Sequence, residues 1–293
     1  MPERTRALAI VNPAAGGGTA RSAVDPALEL LRPAFGTLEV TETGAESPTA
    51  EDLAARAVRD GYDAVIVAGG DGTVGSAARA LVSSKVTLGI LPFGSFMNIA
   101  RAVGIPREDP AAAARIIAAG HTTDIDAGSV GGRVFFEAAG IGLDADAFRA
   151  GRAIKRGDRS FAAAALGALL RRSSTRVRID VDGRVHRRRI LQAVVCNGPW
   201  YGWGFEVAPG ARIDSGMLEL VVFGDGKLRV IREFVAAAVD RDRPARGRRY
   251  RGKRIVLSPE QGELVVHADG LVIGPLPQTF TVLPKALRVY APR

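Results

Sequence analysis

VIVAGGDGTVGSAARAL, residues 65–81, runs from an unbroken apolar stretch through Gly69, Gly70, Asp71, Gly72 and Thr73 into an alanine-rich helical pattern. A strand that is apolar at every position is one buried on both faces, the habit of parallel sheets. Three glycines open backbone angles closed to other residues and let main-chain N–H groups approach a phosphate, and the N-terminus of the following helix adds a favourable dipole. An aspartate beside a phosphate handles a metal ion or a proton, so Asp71 points to phosphoryl transfer over simple phosphate binding. A plainer reading stands beside this one, a strand-to-helix turn in which Asp71 is only the N-cap.

The surrounding segments repeat the design. Between residues 7 and 125, LAIV, LEVTET, AVIVAGG and LGILP alternate with helical patterns over residues 20–31, 50–60 and 74–82. Such alternation predicts a mostly parallel sheet with helices on both faces. Asn12, Pro13 and the glycines at 16–18 follow the first strand, so their turn opens on the same sheet edge as residues 69–73, where the ligand crevice of an open parallel sheet belongs. LGILPFGSFMNIARAVGIP, residues 88–106, supplies a third strand, a turn at 92–94 and a helix starting near Ser95, which either caps that helix or bonds a phosphate. From Asp126 the texture changes to short strands and turns, among them VDGRV, GMLELVVF, KRIVLS, ELVVHADG and FTVLPKALRVYA, the pattern of an antiparallel β-sandwich. The boundary falls at residues 124–128, giving an α/β nucleotide-binding domain over 1–125 and a sandwich over 126–293, whose last residues can return to the first domain.

Composition limits the partners. The 293 residues are 47% hydrophobic and 24% charged, those of an ordered chain with room for two cores. Cys196 is the single cysteine, so no intrachain disulfide can form. The N-terminal apolar run reads as a strand and not as a signal peptide, and the longest later one, FAAAALGALL at 161–170, falls far short of the roughly 20 residues that span a bilayer. The expectation is a cytoplasmic protein, peripheral at the inner face of the membrane at most. A formal charge of +9 suits an anionic partner, whether nucleotide, nucleic acid or acidic bilayer, or simply keeps the chain in solution. Arg152, Lys155, Arg156, Arg159, Arg171, Arg172, Arg176, Arg178 and the arginines at 187–189 flank the alanine-rich helix, as a bilayer-facing surface or a solvated face would. A second basic run, residues 241–254, reads as an Arg- and Gly-rich loop around Tyr250. His121, His186 and His267 lack ligand spacing, so no zinc site is expected. Trp200, Tyr201, Trp203 and Phe205 either line an acyl pocket or pack a Gly-rich corner.

NPAAGGG, GGDGT, LGILPFGSFMNIARAVGIP, DIDAGSVGGRVFFEAAGIGLDA, APGARIDSGMLEL and HADG occur in the order found in the diacylglycerol kinase catalytic family, which includes bacterial lipid kinases and the sphingosine and ceramide kinases. The chain resembles that family over essentially its whole length. GGDGT alone is shared with NAD kinases, and the combination with the other two long blocks is what is specific. The resemblance implies a three-layer NAD kinase/diacylglycerol kinase-like α/β domain, a C-terminal β-sandwich, ATP with Mg2+ in the cleft between them, and a lipid hydroxyl as phosphoryl acceptor at a membrane surface. Nucleic acid is not expected as a partner, and the reading is compatible with a homodimer. Carried over residue by residue, the resemblance implies that Gly69, Gly70, Asp71, Gly72 and Thr73 embrace the ATP phosphates. It adds Asn12, Gly94, Ser95 and Thr41 as further nucleotide contacts, Arg212, Asp214 and Met217 at a structural Mg2+ site, and Asp269 and Gly270 as the start of the family's Asp-Gly-Glu motif. Asp126 and Asp144 fall in the block that resembles the interdomain region.

Four departures accompany the resemblance. The glutamate of Asp-Gly-Glu, the family's general base, is Leu271, which cannot take a proton. Gly75 and Ser76 replace an Asn-Glu pair, Asn98 replaces an aspartate, and one of the paired aspartates at the metal turn is Ser215. Phosphoryl transfer relies mainly on positioning and electrostatic stabilisation, so it can survive the loss of a base. Asp71 is the expected substitute and Asp269 the second choice. Against a lipid kinase stand two alternatives: a kinase-fold nucleotide- or lipid-binding protein without catalysis, and an NAD-kinase-like enzyme with a soluble acceptor.

Overall fold

A computed structural model describes residues 6–18, 23–44, 48–142, 174–202, 204–224, 226 and 246–293. The chain divides into two compact units, Met1–Ala127 with Pro284–Arg293, and Gly128–Leu283.

The first unit is α/β. Strands β1 (Arg6–Val11), β2 (Thr37–Glu42), β3 (Ala64–Gly69) and β4 (Thr87–Pro92) pair in parallel in the order β2-β1-β3-β4, and the end of the chain's final strand joins beside β4 with Val289 opposite Leu88. Every residue of β3 and β4 is buried, as their unbroken apolar sequence requires. Helices α1 (Asp25–Leu31), α2 (Ala50–Arg59), α3 (Asp71–Leu81), α4 (Asn98–Ala102) and α5 (Pro110–Ala119) supply the outer layers, α2 packing on α3 and α1 on α5. Thr49 and Asp52 start α2 with a reciprocal capping box, each side chain accepting the other's backbone N–H. On α3 the buried residues Val74, Ala77, Ala78 and Leu81 recur at the three- and four-residue spacing of a core-facing stripe.

Two helix starts differ from expectation. Helix α3 begins at Asp71 and not at Val74, because Gly70 is its N-cap and the Thr73 and Val74 N–H groups already bond the Gly70 carbonyl. Helix α4 begins at Asn98, three residues after Ser95. Of the helix expected over residues 20–31, α1 covers the C-terminal part, and residues 20–22 lie outside the described residues.

The second unit is an antiparallel sandwich. Strands β5 (Thr122–Val130), through which the division passes, and β6 (Arg133–Phe135) form one hairpin. Then come β7 (Ala138–Gly142), β8 (Thr175–Val181), β9 (Arg184–Ile190), β10 (Gln192–Cys196), the short pair β11 (Trp200–Tyr201) and β12 (Phe205–Glu206), and β13 (Leu218–Phe223). The last five are β14 (Arg248–Gly252), β15 (Arg254–Pro259), β16 (Val265–Ala268), β17 (Leu271–Pro275) and β18 (Gln278–Tyr290). One sheet has the order β14-β13-β10-β7-β16-β17, and the other ends β18-β15-β8-β9. Val177, Ile179, Val195, Leu218, Leu220, Ile255, Leu257, Val266 and Phe280 fill the space between them. The alternate residues of β10 and β13 point the other way, so Val194, Cys196, Val221 and Phe223 build a second core with Tyr201 and Phe205. Of the two readings of the aromatic segment, core packing therefore describes Tyr201 and Phe205; Trp203 lies outside the described residues.

Two Asp-Gly dipeptides turn out to be two-residue hairpin turns with both residues at positive φ: Asp182-Gly183 between β8 and β9, and Asp269-Gly270 between β16 and β17. The segment expected as an Arg-rich loop is a strand from residue 248 onward, and its part at 241–245 lies outside the described residues. The same holds for FAAAALGALL and Asp144. Among the described residues no helix is long and apolar enough to cross a membrane.

Candidate active site

The first unit gathers its chemistry at one sheet edge. Val11 pairs with Ala68 and Gly69 with Pro92, so the loops after β1, β3 and β4 leave the sheet side by side. The Asn12 backbone N–H donates to the Ala68 carbonyl at 2.9 Å. Its side-chain Nδ2 donates to Thr73 Oγ1 at 2.8 Å, and its Oδ1 accepts the Ala14 N–H at 3.1 Å. Asn12 thus ties the first loop to the first turn of α3 across 61 residues of sequence.

The second and third loops meet backbone to backbone. Phe93 N–H donates to the Gly69 carbonyl at 3.1 Å. A Cβ added at Gly94 would stand 2.6 Å from Gly70 Cα and 2.7 Å from Met97 Sδ, and one at Gly69 would stand 2.7 Å from Thr73 Cβ. These glycines are demanded by close approach alone, since neither adopts a positive φ. Gly72 differs: it is exposed, and a Cβ there meets nothing within 4 Å. The fold leaves Gly72 free to be any small residue, whereas a ligand seated on the N-terminus of α3 would require it bare.

Asp71 joins the two loops. Its Oδ2 accepts the Met97 N–H at 2.8 Å and its Oδ1 the Asn98 N–H at 2.6 Å. Met97 is the N-cap of α4, held in the left-handed region at φ 48° with no side-chain cap of its own, so Asp71 satisfies the start of that helix from 26 residues away. Asp71 does not cap its own helix, and Ser95 does not cap α4; Ser95 is exposed at the loop tip. Burial pushes the Asp71 carboxyl above its ordinary range, against the pull of the Asn98, Met97 and Ile99 N–H groups. The net direction is upward, the direction that makes a carboxylate a better proton acceptor near neutral pH. Asn98 is buried at the start of α4, its backbone already committed to Asp71.

Asn12, Gly69, Gly70, Asp71, Thr73 and Gly94 therefore come together. Thr41 is half-buried near the end of β2, opposite Ile10, with β1 between it and β3. Asp126 is buried and its Oδ1 accepts the N–H of Lys285, a residue at φ 51°, so it braces an irregular point of the final strand.

In the second unit, the Asp269 carboxylate accepts three backbone N–H groups, from Phe136 at 2.7 Å, Glu137 at 3.1 Å and Ala138 at 3.2 Å. It locks the entry to β7, and Leu271 follows as the first residue of β17. Arg212 grips Asp214 with two parallel bonds, Nε to Oδ1 at 2.9 Å and Nη2 to Oδ2 at 2.8 Å. That guanidinium holds the Asp214 carboxyl below its usual range. The Arg212 carbonyl accepts the Ser215 N–H at 3.2 Å, and the Met217 carbonyl accepts the Ser215 hydroxyl at 3.4 Å. The oxygens expected for a structural cation are thus already hydrogen-bonded within the turn, Asp214 to Arg212 and the Arg212 and Met217 carbonyls to Ser215. Among the described residues no group of three His, Cys, Asp or Glu side chains could hold a metal.

Met97 was invisible to sequence reasoning, since nothing in SFMN marks a left-handed residue. The pairing of Asn12 with Thr73 was equally hidden, although both positions were candidates.

The chain is thus a two-part protein, a parallel α/β unit with three glycine-edged loops at one sheet edge followed in sequence by an antiparallel sandwich. Residues 6–130 match the diacylglycerol kinase catalytic domain family, and residues 138–291 match the YegS C-terminal NAD kinase beta sandwich-like domain family. A diacylglycerol kinase of Mycobacterium tuberculosis is 31% identical over 299 residues, covering 97% of this chain and 94% of that one. One of Bacillus subtilis is 28% identical over 269 residues, covering 86% of each. The crystal structure of a diacylglycerol kinase from Bacillus anthracis superposes with a TM-score of 0.75 over 98% of this chain and 97% of that one; at 22% identity it is likeness of fold alone. The chain belongs to the diacylglycerol kinase family.

Proposed function

We propose that this protein is an ATP-dependent lipid kinase that transfers the γ-phosphoryl group to the hydroxyl of diacylglycerol or a related lipid at a membrane surface. The observation that carries the reading is the bare N-terminus of α3, where Gly72 leaves main-chain space that packing does not use, beside loops pressed together at Gly70 and Gly94. Helix α3 has eleven residues, enough for its aligned peptide dipoles to favour an anion there. Gly69 to Thr73, with Gly94 and the Asn12–Thr73 pair, would hold the nucleotide phosphates. ATP supplies the phosphoryl group, and Mg2+ bound to its phosphates would spread the charge that develops on transfer.

Asp71 is assigned two tasks in this reading. It positions the 93–97 loop through Met97 and Asn98, and it accepts the proton of the lipid hydroxyl, the work that Leu271 cannot do. Asp269, whose carboxylate accepts three main-chain N–H groups, is assigned the bracing of residues 136–138, and the proton is assigned to Asp71 because it lies within the Gly69 to Thr73 loop itself. Arg212 is assigned the part of the structural cation, tying its turn through Asp214. The site calls for Mg2+ with the nucleotide and not at residues 212–217.

Incubation with γ-labelled ATP, Mg2+ and diacylglycerol in detergent micelles tests the reading through label recovered in the organic phase. NAD+ in place of the lipid tests the soluble-acceptor alternative. Label on NAD+ and none on lipid would reassign the enzyme.

A further inference from the structure

The sandwich of the second unit ends, on one side, in two edge strands, β9 and β14. Strand register fixes which side chains point between the sheets. Val177, Ile179 and Val181 of β8 are core residues, and their partners across the pair are Arg188, His186 and Arg184. Leu220 and Val222 of β13 are core residues too, and their partners are Tyr250 and Arg248. Cross-strand partners share a face. At this one edge, positions that would continue an apolar core are therefore three arginines, a histidine and a tyrosine.

Arg188, His186 and Arg248 gather around Tyr250. Arg188 Nε donates to Tyr250 Oη at 2.9 Å, the His186 and Tyr250 rings lie 4.8 Å apart, and the Arg248 guanidinium sits 6.0 Å from the Tyr250 ring centre. An open depression of about 450 Å3 at the edge is lined by Val181, Asp182, Arg184, His186, Tyr250 and Arg251. Its acid is committed elsewhere, the Asp182 oxygens accepting the Lys253 N–H at 3.0 Å and the Arg254 N–H at 2.8 Å. Arg249 and Arg251 are offset by Glu219, and Arg187 by Glu260. Among the described residues no carboxylate lies within ion-pair distance of Arg184, Arg188 or Arg248.

We infer that this edge is an anion-binding slot that takes the phosphate of an anionic phospholipid headgroup and holds the second unit to a charged bilayer. Fork-shaped guanidinium donors suit phosphate oxygens, and an amphipathic tyrosine suits the interface. The choice of a lipid over other phosphates rests on the lipid-kinase reading; the slot itself does not. Inward-pointing charges also guard sheet edges against pairing with other chains, and that role alone would need no ligand.

The test is sedimentation of the full chain with vesicles of phosphatidylglycerol and phosphatidylcholine against vesicles of phosphatidylcholine alone. Arg184→Gln/Arg248→Gln is compared with Arg176→Gln/Arg187→Gln, which removes equal charge from the outer face of the β8–β9 hairpin. The first pair is expected to lower binding to the anionic vesicles about thirty-fold, at roughly 1 kcal/mol per cation, and the second less than about three-fold. Equal losses in both pairs, or none in either, would overturn the slot in favour of a diffuse field or a guarded edge. A selective loss of oligonucleotide binding with vesicle binding intact would overturn it in favour of nucleic acid. Micelle activity separates the two readings, because the slot pair is expected to keep wild-type turnover when no anionic lipid is present, and the vesicle result is readable even from an inactive chain.

Discussion

Gly72→Ala separates the needs of the fold from those of a ligand. A Cβ at residue 72 meets nothing within 4 Å and requires no positive φ, so packing predicts no strain. Alanine is also the better helix former by roughly 0.5–1 kcal/mol, and the free protein is expected to melt at or slightly above the wild-type temperature. The nucleotide phosphates would lose close approach to one main-chain donor, and a hydrogen bond to a charged group is worth about 1.5–3 kcal/mol, roughly ten- to a hundred-fold in affinity. At Mg·ATP about 100 times the wild-type dissociation constant, ligand stabilises the native state by about 2.7 kcal/mol; a thirty-fold weaker variant at the same concentration gains only about 0.9 kcal/mol. Thermal melts with and without Mg·ATP read both quantities in one titration. A variant as stable as wild type that keeps the full nucleotide-induced shift would refute the placing of phosphates on α3.

Three further expectations follow from the same geometry. Gly94→Ala must push Gly70 Cα and Met97 back from 2.6 and 2.7 Å, so it is expected to cost about 1–3 kcal/mol of stability, read as a lower melting temperature in the absence of nucleotide. Asp71 keeps its proton in the folded chain at a pH where the unfolded chain has released it, so the stability linked to that proton is full below the ordinary carboxylate range and is lost as pH rises through the raised folded value. Wild type is therefore expected to gain melting temperature relative to Asp71→Asn as pH falls from neutrality towards the ordinary carboxylate range, and a change in the opposite sense would contradict burial as the dominant cause. Because Arg212 already occupies both oxygens of Asp214, removing divalent ions with a chelator is expected to leave the melting of nucleotide-free protein unchanged, whereas Arg212→Ala should make it respond to Mg2+.

Much of this was legible because local chemistry and global fold agree. The unbroken apolar runs at 64–69 and 87–92 could only be strands buried on both faces, and GGDGT directly after one of them had to be a turn at the sheet edge. What escaped was non-local. Ser95 looks like a cap because serine is a good one, yet the acceptor for α4 comes from Asp71, 26 residues earlier, and the helix starts three residues later than the serine suggests. Asp269 looked like a candidate for chemistry, and only the tertiary fold reveals the N–H groups of 136–138 converging on it. The arginines at 187–189 read as part of a bilayer-facing surface or a solvated face until pairing with β8 shows that Arg188, with Arg184 and His186, faces the space between the sheets.

The central claim is that Asp71 takes part in transfer to a lipid hydroxyl as well as holding a loop. Its most direct test is the rate of γ-phosphoryl transfer to diacylglycerol in micelles by wild type and Asp71→Asn, each at saturating Mg·ATP so that nucleotide binding is held constant. The account predicts labelled lipid from wild type and a fall in kcat of at least about a hundred-fold in the variant, the scale of a lost general base. A variant with wild-type kcat, or a wild-type protein that binds Mg·ATP and labels no lipid, would contradict it.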